Sequence, residues 1–420
     1  MTATLTSERA PSGVFATLRA TPVAVRYLLG GVFINQMGAF VQTFLVLYLT
    51  ARGMSVDHAG LALTAYSAGA VLGSILGGET TQRFGARATI TGAMTASAAV
   101  IACVPWLGTP GRFAPLLVAV AVAGLVTQAY RPAAALLLAD LMPGELRVLG
   151  FSMMRIALNG GAALSPLIAA ALILTNWNLL FWLDAGTALA YAALAFALLP
   201  NSRAGQDTDD PAESAPVVRG TAAYRAVLHD RGYLAFLASV LLGSIVYVQY
   251  TVALPLKIRA DGHTPALYSA VLTTSALVLI LCELKLTTYV KHWRPFTAGA
   301  GGTALMGLGL AGYGLPLHST VVLLASTVLF VFGVMISGPT MFAYPSTFPP
   351  ATRARYVAAH QAFFGLGLAL GPTLGVLAWG ALGNGVWWVC GAVAAVAAIC
   401  ARIGIRPGST ENDSTESAEH

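Results

Sequence analysis

Long apolar stretches alternate with short polar ones along almost the whole chain. A helix needs about 20 mostly apolar residues to cross the hydrocarbon core of a bilayer, and twelve stretches reach that length. They cover residues 27–50, 59–78, 88–107, 114–139, 149–174, 178–199, 233–256, 265–286, 296–316, 319–343, 356–380 and 385–404. The pattern therefore predicts an all-α polytopic membrane protein with twelve transmembrane helices.

The composition agrees with a membrane protein and argues against other classes. Of the 420 residues, 57% are hydrophobic and 10% are charged, whereas soluble domains carry about 25% charged residues. The four cysteines (Cys103, Cys282, Cys390 and Cys400) lie in apolar stretches without the spacing of a metal site or a disulfide framework. The sequence contains no phosphate-binding glycine loop with a lysine and no His-Glu-x-x-His or Ser/His/Asp arrangement. We therefore expect neither an enzyme nor a cofactor.

Three polar stretches divide the chain. Residues 1–20 predict a cytoplasmic N-terminal tail, with the first helix as its own insertion signal. Residues 200–230 are polar, acidic and proline-containing, which is typical of a flexible cytoplasmic linker. Residues 406–420 predict a disordered cytoplasmic tail. The linker thus separates two predicted six-helix bundles, residues 21–199 and 231–405.

The positive charges predict the orientation. The chain has 23 Lys and Arg residues. On the side away from the two termini the predicted loops hold Arg52, Arg112, Lys257 and Arg259, while Arg131 and Arg155 lie inside helices. All the others lie on the side of the termini, and cytoplasmic loops carry the excess of Lys and Arg. We therefore expect both termini in the cytoplasm. The abundant Ala, Gly and Arg favour a bacterial source, hence a bacterial inner membrane. The net charge of +6 follows from the loop bias and requires no nucleic-acid partner.

One segment occurs twice at a constant offset. Its first copy is residues 143–166 and its second is residues 349–372, and they match at Pro143 and Pro349, Arg147 and Arg353, Gly161 and Gly367, and Pro166 and Pro372. The offset equals one predicted bundle, so helices four and five correspond to helices ten and eleven. Because six is even, both copies enter the membrane from the same side. This predicts a parallel pseudo-repeat, as in transporters whose two halves move about a central site.

Three short features lie within this 6+6 layout. Residues 78–87, GETTQRFGAR, follow helix two; residues 161–170, GAALSPLIAA, lie in helix five; Arg131 lies in helix four. Together with the layout they resemble the major facilitator superfamily over essentially the whole chain, and its twelve-helix drug:proton antiporter branch in particular. The resemblance implies a secondary transporter.

In that superfamily the loop after helix two resembles G-x-L-A-D-R-x-G-R-R and helps to latch the two bundles in one state. The matching residues here are Gly78, Arg83, Gly85 and Arg87. Gln82 replaces the usual Asp, and Ala86 replaces the first Arg of the closing pair. Glu79 lies three residues before Gln82 and is the candidate for the missing carboxylate. A plain positively charged cytoplasmic loop is the alternative interpretation.

The helix-five segment resembles the antiporter motif G-x-x-x-G-P-x-x-G-G, which in the family seals the bundle interface and is associated with export. Gly161 and Pro166 match, whereas Ser165 is one of the small residues that replace glycines. The second copy is closer to the motif and keeps Gly367, Gly371 and Pro372. Ordinary packing of small residues is the alternative.

The predicted helices contain four clear charged residues, and each is a candidate for proton coupling or for a conformational switch: Glu283, Arg131, Arg155 and Asp184. The resemblance implicates the helix-four arginine in proton transfer. It also sets helices five and eight against each other, with Arg155 and Glu283 at similar depth. A paired carboxylate stays ionised, and an unpaired, desolvated one takes up a proton.

Glu283 and Asp184 each have an alternative, purely structural interpretation. Glu283 has Lys285 and Lys291 nearby in sequence as possible partners at the membrane surface. Asp184 could satisfy packing between helices six and four through hydrogen bonds to the backbone or to Thr187.

In the superfamily, helices one, four, seven and ten line the central cavity. The candidate lining residues on these helices and their neighbours are Asn35, Gln36, Gln42, Tyr66, Gln128, Tyr130, Tyr247, Gln249, Tyr250, Ser337 and Phe363. For each of them helix packing is the alternative. A mainly apolar and aromatic wall with a few uncharged polar groups suits an amphipathic organic molecule.

We therefore expect a secondary active transporter that couples protons to the efflux of hydrophobic or amphipathic small molecules, including drugs, by alternating access. A proton-coupled uptake symporter or facilitator for a metabolite is one alternative, and a non-transporting membrane sensor or scaffold is another. The expected partners are the small-molecule substrate, protons and the lipid bilayer. The expected oligomeric state is a monomer.

Overall fold

The computed structural model describes residues 21–142, 146–201, 227–263, 265–315 and 319–406. Twelve helical spans cover most of them, and we number these spans like the predicted helices. α1 consists of Val23–Met37 and Phe40–Ala51, α2 is Val56–Phe84, α3 Ala86–Leu107, α4 Phe113–Leu141, α5 Leu146–Ile173 and α6 Asn178–Leu198. α7 consists of Arg231–Tyr247 and Gln249–Ala260, α8 is Pro265–Val290, α9 Pro295–Gly312, α10 Thr320–Ala343, α11 Pro350–Leu382 and α12 Val386–Gly404.

The spans confirm the predicted all-α membrane fold. Within the described ranges, ten helical stretches are long and apolar enough to cross a membrane. One of the ten, Pro350–Gly404, contains both α11 and α12. α9 is not among the ten, because its many glycines lower its hydropathy.

The two halves of the chain pack in the same way. In the first half α2 packs on α4, α3 packs on α4 and α6, and α1 packs on α5 and α6. The second half repeats these pairs as α8 on α10, α9 on α10 and α12, and α7 on α11 and α12. Between the halves, α2 packs on α11 and α5 packs on α8, and these two pairs are also equivalent under the repeat. The predicted parallel pseudo-repeat of two six-helix bundles is therefore confirmed.

The two faces of the molecule need names. Residues 21 and 406 lie on the same face as the connections α2–α3, α4–α5, α8–α9 and α10–α11. We call this the terminal face and the opposite one the distal face. At the terminal face the Arg406 guanidinium lies 2.7 Å from Asp230 at the start of α7.

The first span of each bundle is interrupted, which the apolar pattern did not predict. α1 is broken at Gly38 and Ala39, and α7 is broken at Val248. An interrupted helix in a membrane leaves backbone groups that need partners from elsewhere in the protein. At the break in α7, the Gln249 Nε2 group donates to the carbonyl oxygens of Ile245 (2.8 Å) and Gly371 (2.9 Å).

Glycines bring α2 and α4 into backbone contact. Gly69, Gly73 and Gly77 recur every four residues on one face of α2. A Cβ at any of them would overlap a backbone carbonyl oxygen of α4, at Leu125 in the case of Gly73. Small residues at this spacing are a common way for membrane helices to pack, because lipid provides no hydrophobic drive between them.

α11 begins earlier than its apolar stretch indicated. The helix starts at Pro350, a favourable residue for a first helical position, whereas the predicted span began at residue 356. Arg353 and Arg355, which precede the predicted span, therefore lie within the helix. The predicted tails at 1–20 and after 406, and nearly all of the linker at 200–230, fall outside the described residues, so these boundaries stay predictions.

Candidate substrate cavity and bundle interface

A cavity of about 240 Å³ lies between the two bundles. We call it the main chamber. It is lined by α1, α4 and α5 of the first bundle and by α7, α9, α10 and α11 of the second. From the predicted set, Gln36, Arg131, Arg155, Tyr247 and Ser337 line it. Most of the remaining wall is apolar: Leu158, Val240, Met306, Val334, Met341, Phe342, Phe364 and Leu368. An apolar chamber with a few polar groups is typical of a small-molecule site.

A smaller cavity of about 40 Å³ adjoins the main chamber. We call it the annex. Arg131, Phe364 and Leu368 line both cavities. The annex is more polar, and Gln42, Tyr66, Ser67, Ser74, Gln128 and Gln361 contribute to its wall. Arg131 thus lies where an apolar chamber meets a polar one.

Five predicted cavity residues line neither chamber: Asn35, Tyr130, Gln249, Tyr250 and Phe363. Three of them directly neighbour a lining residue in sequence, and one residue along an α-helix turns the side chain by about 100°. Tyr130, for example, packs edge-on against Tyr191 inside the first bundle, with the ring centroids 5.5 Å apart. Gln249 and Tyr250 lie beyond the unpredicted break in α7.

A buried ion pair joins the two bundles beside the main chamber. Nε of Arg155 on α5 lies 2.8 Å from Oε1 of Glu283 on α8. The Glu283 side chain is fully buried and that of Arg155 is 11% exposed. Thr287, one turn further along α8, donates from its Oγ1 to Oγ of Ser152 on α5 at 3.1 Å. The partner of Glu283 is therefore in the other bundle and not a neighbouring lysine.

Arg131 differs from Arg155 in its partners. Among the described residues none forms an ion pair with Arg131, and its Nε atom is buried without a hydrogen-bond partner. The repeat equivalent of Arg131 is Ser337 on α10, which also lines the main chamber. The two bundles thus present a charged and an uncharged group from equivalent positions.

Asp184 lies apart from both chambers. Its Oδ2 atom accepts hydrogen bonds from the backbone N–H groups of Phe40 (2.9 Å) and Val41 (3.1 Å). These are the first residues after the break in α1, so the carboxylate acts there as a helix N-cap supplied by α6. Thr187 bonds to the backbone oxygen of Asp184 and not to its carboxylate. Asp184 thus packs on helix one, where the sequence analysis considered helix four.

The predicted latch motif lies at the terminal face, where α2 meets α11. Glu79 accepts from Arg83 on its own helix at 2.8 Å and from Arg355 on α11 at 3.2 Å. Nε2 of Gln82 donates to the backbone oxygen of Ala351 at 2.8 Å. Gly85 joins α2 to α3 with a φ of 86°, a conformation that favours glycine. Glu79 therefore provides a carboxylate across the interface, while Gln82 contributes an uncharged hydrogen bond.

Arg87, the last residue of that motif, stays within the first bundle. It donates to the backbone oxygen of Phe196 on α6, and its guanidinium carbon lies 5.2 Å from the centre of the Phe196 ring.

The repeated segment contributes a pair of equivalent contacts to the interface. Nη1 of Arg353 lies 2.9 Å from Oδ1 of Asp140 in the other bundle. Arg147, the counterpart of Arg353, donates from Nη1 to the backbone oxygen of Ser346 at 3.4 Å. Ser346 and Asp140 are themselves equivalent under the repeat. Each copy of the segment therefore sends its arginine to the same place on the opposite bundle.

All the described hydrogen bonds and ion pairs between the bundles lie in the half of the molecule near the terminal face. These contacts thus hold the seam between the bundles closed at that face, and Arg155 of the buried pair also lines the main chamber.

The helix-five motif has a different position from the expected one. A Cβ at Gly161 would lie 2.7 Å from the backbone oxygen of Phe33 on α1. Gly367 and Gly371 pack in the same manner on α7. Ser165 is buried, and Pro166 and Pro372 both lie inside continuous helices. The glycines of the motif therefore pack α5 on α1 and α11 on α7 within each bundle and not across the seam.

Several lining residues were not predicted from the sequence, and His360 is the one that can titrate. His360 on α11 is 1% exposed and lines the main chamber. Its ring stacks on Phe236 at 5.8 Å and meets Phe342 edge-on at 4.9 Å. The sequence signal for His360 was its place in the second copy of the repeated segment, where it is the counterpart of Met154 in the first copy. The mid-helix position was obscured because α11 was predicted to begin at residue 356.

Gly78 is expected to control closure of the terminal face. A Cβ there would overlap the Cβ of Ala358 on α11 and lie 2.9 Å from the oxygen of Ala354. Overpacking of this kind costs about 1–3 kcal/mol, so Gly78→Ala should lower the ratio of closed to open protein roughly 5- to 150-fold. Spin-label distances between positions 84 and 347, measured in a background without native cysteines, should lengthen.

The matched control is Gly92→Ala on α3, since no atom lies within 4 Å of a Cβ at that position. Its distance distribution should equal that of the wild type. An unchanged distribution for Gly78→Ala would show that the close contact between α2 and α11 does not limit closure.

Two helical bundles related by a pseudo-repeat, with a chamber between them and a seam closed at one face, define a secondary transporter of small molecules. The sequence matches the Major Facilitator Superfamily over residues 28–348. The chain belongs to this superfamily, which is a family of transporters and not of enzymes.

Comparisons with individual proteins agree. The chain is 23% identical to the uncharacterized MFS-type transporter YqjV of Bacillus subtilis (strain 168), covering 84% of this chain and 85% of the relative. It is 23% identical to a Na(+), Li(+), K(+)/H(+) antiporter of Planococcus maritimus, covering 84% and 88%. It is 26% identical to the multidrug resistance protein MdtH of Aeromonas salmonicida (strain A449), covering 73% and 74%.

The fold is also similar to that of a solved transporter. The proton:xylose symporter XylE, bound to 6-bromo-6-deoxy-D-glucose, superposes with a TM-score of 0.70 at 17% identity, over 90% of this chain and 94% of that one. At this identity the likeness concerns the fold alone.

Proposed function

We propose that this transporter exchanges protons for hydrophobic or amphipathic small molecules and exports them by alternating access. Among its relatives, one is named as a cation/proton antiporter, which supports antiport, and another as a multidrug resistance protein, which supports the export of organic compounds. The mainly apolar main chamber supports an amphipathic substrate.

The observation that carries the proposal is the Arg155–Glu283 pair. It is buried, it crosses the seam between two bundles, and it borders the main chamber through Arg155. Opening the terminal face separates α5 from α8 and therefore breaks the pair. An ionised carboxylate left without its partner in a low dielectric is costly, whereas a protonated one is far less so.

The cycle follows from this cost. With the terminal face closed, Glu283 is ionised and paired. A proton that reaches Glu283 through the chamber removes the charge attraction and allows the terminal face to open. The proton leaves on that side, the substrate enters, and re-formation of the ion pair closes the face again. Protons then move from the distal to the terminal side and substrate moves in the opposite direction.

The direction in the cell depends on the orientation. The excess of Lys and Arg at the terminal face supports a cytoplasmic location for that face, hence export across a bacterial inner membrane. The monomer is part of this proposal, since one chain contains both bundles and the complete chamber.

A growth experiment tests the direction. Expression in a drug-sensitive bacterium should raise the resistance to at least one lipophilic compound severalfold across a panel of anionic, neutral and cationic members. Glu283→Gln at the same expression level is the control and should give no protection. Lowered resistance would overturn export and favour the uptake symporter or facilitator, which the helix-five motif leaves open because it packs within each bundle.

A further inference from the structure

We infer that the substrate is an amphipathic organic anion, whose carboxylate or sulfonate is bound by Arg131 and whose apolar body occupies the main chamber. This inference deepens the proposed function by naming the substrate class. It rests on the identity of the site in that proposal and not on its proton coupling or direction.

The charges that face the two chambers are unequal. Arg131 and Arg155 both line the main chamber. Glu283 neutralises Arg155, and none of the described acidic residues lines either cavity. Arg131 therefore gives the walls of the two cavities one positive charge that no lining carboxylate offsets. A cationic substrate would meet that charge with no carboxylate in direct reach.

The surroundings of Arg131 favour a ligand and not a resident partner. Burying an arginine within a membrane is costly unless an anion or water solvates it. Asp184 is a carboxylate buried within the first bundle, but it already accepts hydrogen bonds from backbone N–H groups of α1. The Nε atom of Arg131 is buried without a hydrogen-bond partner among the described residues. The hydrogen-bond acceptor for the Arg131 guanidinium must therefore come from outside the described protein. It would reach the arginine through the main chamber.

The position of Arg131 matches the two ends of an amphipathic acid. The main chamber offers aromatic and aliphatic walls for an apolar body. At its junction with the annex, Arg131 stands with Tyr66 and Gln128, whose hydroxyl and amide groups are hydrogen-bond donors. A guanidinium binds a carboxylate through two parallel hydrogen bonds, and this geometry is specific to planar anions. The acid group would thus lie at the junction with the annex, and the apolar body would lie in the main chamber.

Three ligands of nearly equal shape and different charge test the inference: 2-naphthoate, 2-naphthamide and 2-naphthylmethylammonium. Their binding to the purified full chain in lipid nanodiscs can be measured by isothermal titration calorimetry. Hydrogen bonds to charged groups are stronger than neutral ones, so naphthoate should bind at least tenfold more tightly than the amide. The ammonium compound should bind most weakly. Arg131→Gln should reduce naphthoate affinity to that of the amide, and Arg131→Lys should retain part of the preference.

Arg112→Gln is the matched control, because it removes an exposed arginine of the first bundle that lies outside both chambers and outside the latch motif and donates to the backbone oxygen of Trp106 at 3.0 Å. It should leave all three affinities unchanged. Tighter binding of the ammonium compound than of naphthoate, an unchanged naphthoate preference in Arg131→Gln, or no naphthoate binding by folded protein would each overturn the inference.

The two proposals fail separately. Binding is measured without a proton gradient, so naphthoate binding without proton exchange would contradict the transport cycle and leave the substrate class intact. Exchange of protons for cationic compounds would contradict the substrate class and leave the transport cycle intact.

Discussion

Glu283→Gln is expected to abolish proton-coupled transport in a protein that still folds. The substitution keeps the size of the side chain and removes the charge that holds α8 to Arg155 on α5. Breaking a buried ion pair by removing one partner costs about 3–5 kcal/mol. A shift of that size in the free-energy difference between the two states should lower the ratio of closed to open protein by about 100-fold or more. Spin labels at positions 84 and 347 should report a terminal face that is predominantly open.

Two further variants make this result specific. Exchange of the two charges, Arg155→Glu with Glu283→Arg, should restore part of the closed population, because the attraction is re-formed with reversed polarity. Asp261→Asn removes a carboxylate from an ion pair inside the second bundle, where Lys257 Nζ lies 2.8 Å from Asp261 Oδ2, and should leave closure unchanged. If Glu283→Gln, Arg155→Gln and the charge exchange all transported at the wild-type rate, the Arg155–Glu283 pair would not be a conformational switch.

Asp184→Ala is expected to give the largest loss of stability. The substitution leaves the N–H groups of Phe40 and Val41 without their acceptor at the break in α1. Each hydrogen bond to a charged group contributes about 1.5–3 kcal/mol, so the loss for two is on the order of 3–6 kcal/mol. The midpoint of thermal unfolding of the purified protein in detergent should fall by many degrees.

Asp184→Asn separates this capping role from proton transfer. Asparagine is also a good helix N-cap, so most of the stability and the transport activity should remain. Loss of proton coupling in a stable Asp184→Asn protein would instead identify Asp184 as a proton carrier.

The architecture could be predicted from the sequence because its signals are long and redundant. Twelve apolar stretches fix the number of spans, and a constant offset between two copies of one segment fixes the relation between the bundles. That repeat also has a physical use that the sequence alone did not reveal. Arg147 and Arg353 make equivalent contacts from opposite bundles, so one segment closes the terminal face twice.

The details of the site depend on the rotation of each helix, on helix breaks and on contacts between helices, which the pattern of apolar residues does not specify. Lining residues were misassigned by one position, since Arg131 lines the chamber while Tyr130 packs in the core. The breaks in α1 and α7 were missed although polar residues surround them, Asn35, Gln36 and Gln42 at the first and Gln249 at the second, because these side chains were assigned to the cavity wall. The pair of Arg155 with Glu283, 128 positions away in sequence, was expected only through the superfamily resemblance, and the pair of Glu79 with Arg355 was not predicted at all. Such contacts depend on which helix faces meet, and a single sequence does not specify them.

Proton movement coupled to substrate movement is the most direct test of the account. The wild-type protein and Glu283→Gln would be reconstituted in liposomes containing a pH-sensitive dye, with protein-free liposomes alongside. A naphthalenesulfonate and the corresponding uncharged sulfonamide serve as substrates. In the wild type, an imposed substrate gradient should drive protons in the opposite direction, and Glu283→Gln should show no such movement. Substrate flux without opposing proton movement in the wild type, or equal proton movement in Glu283→Gln, would contradict proton exchange through the Arg155–Glu283 pair.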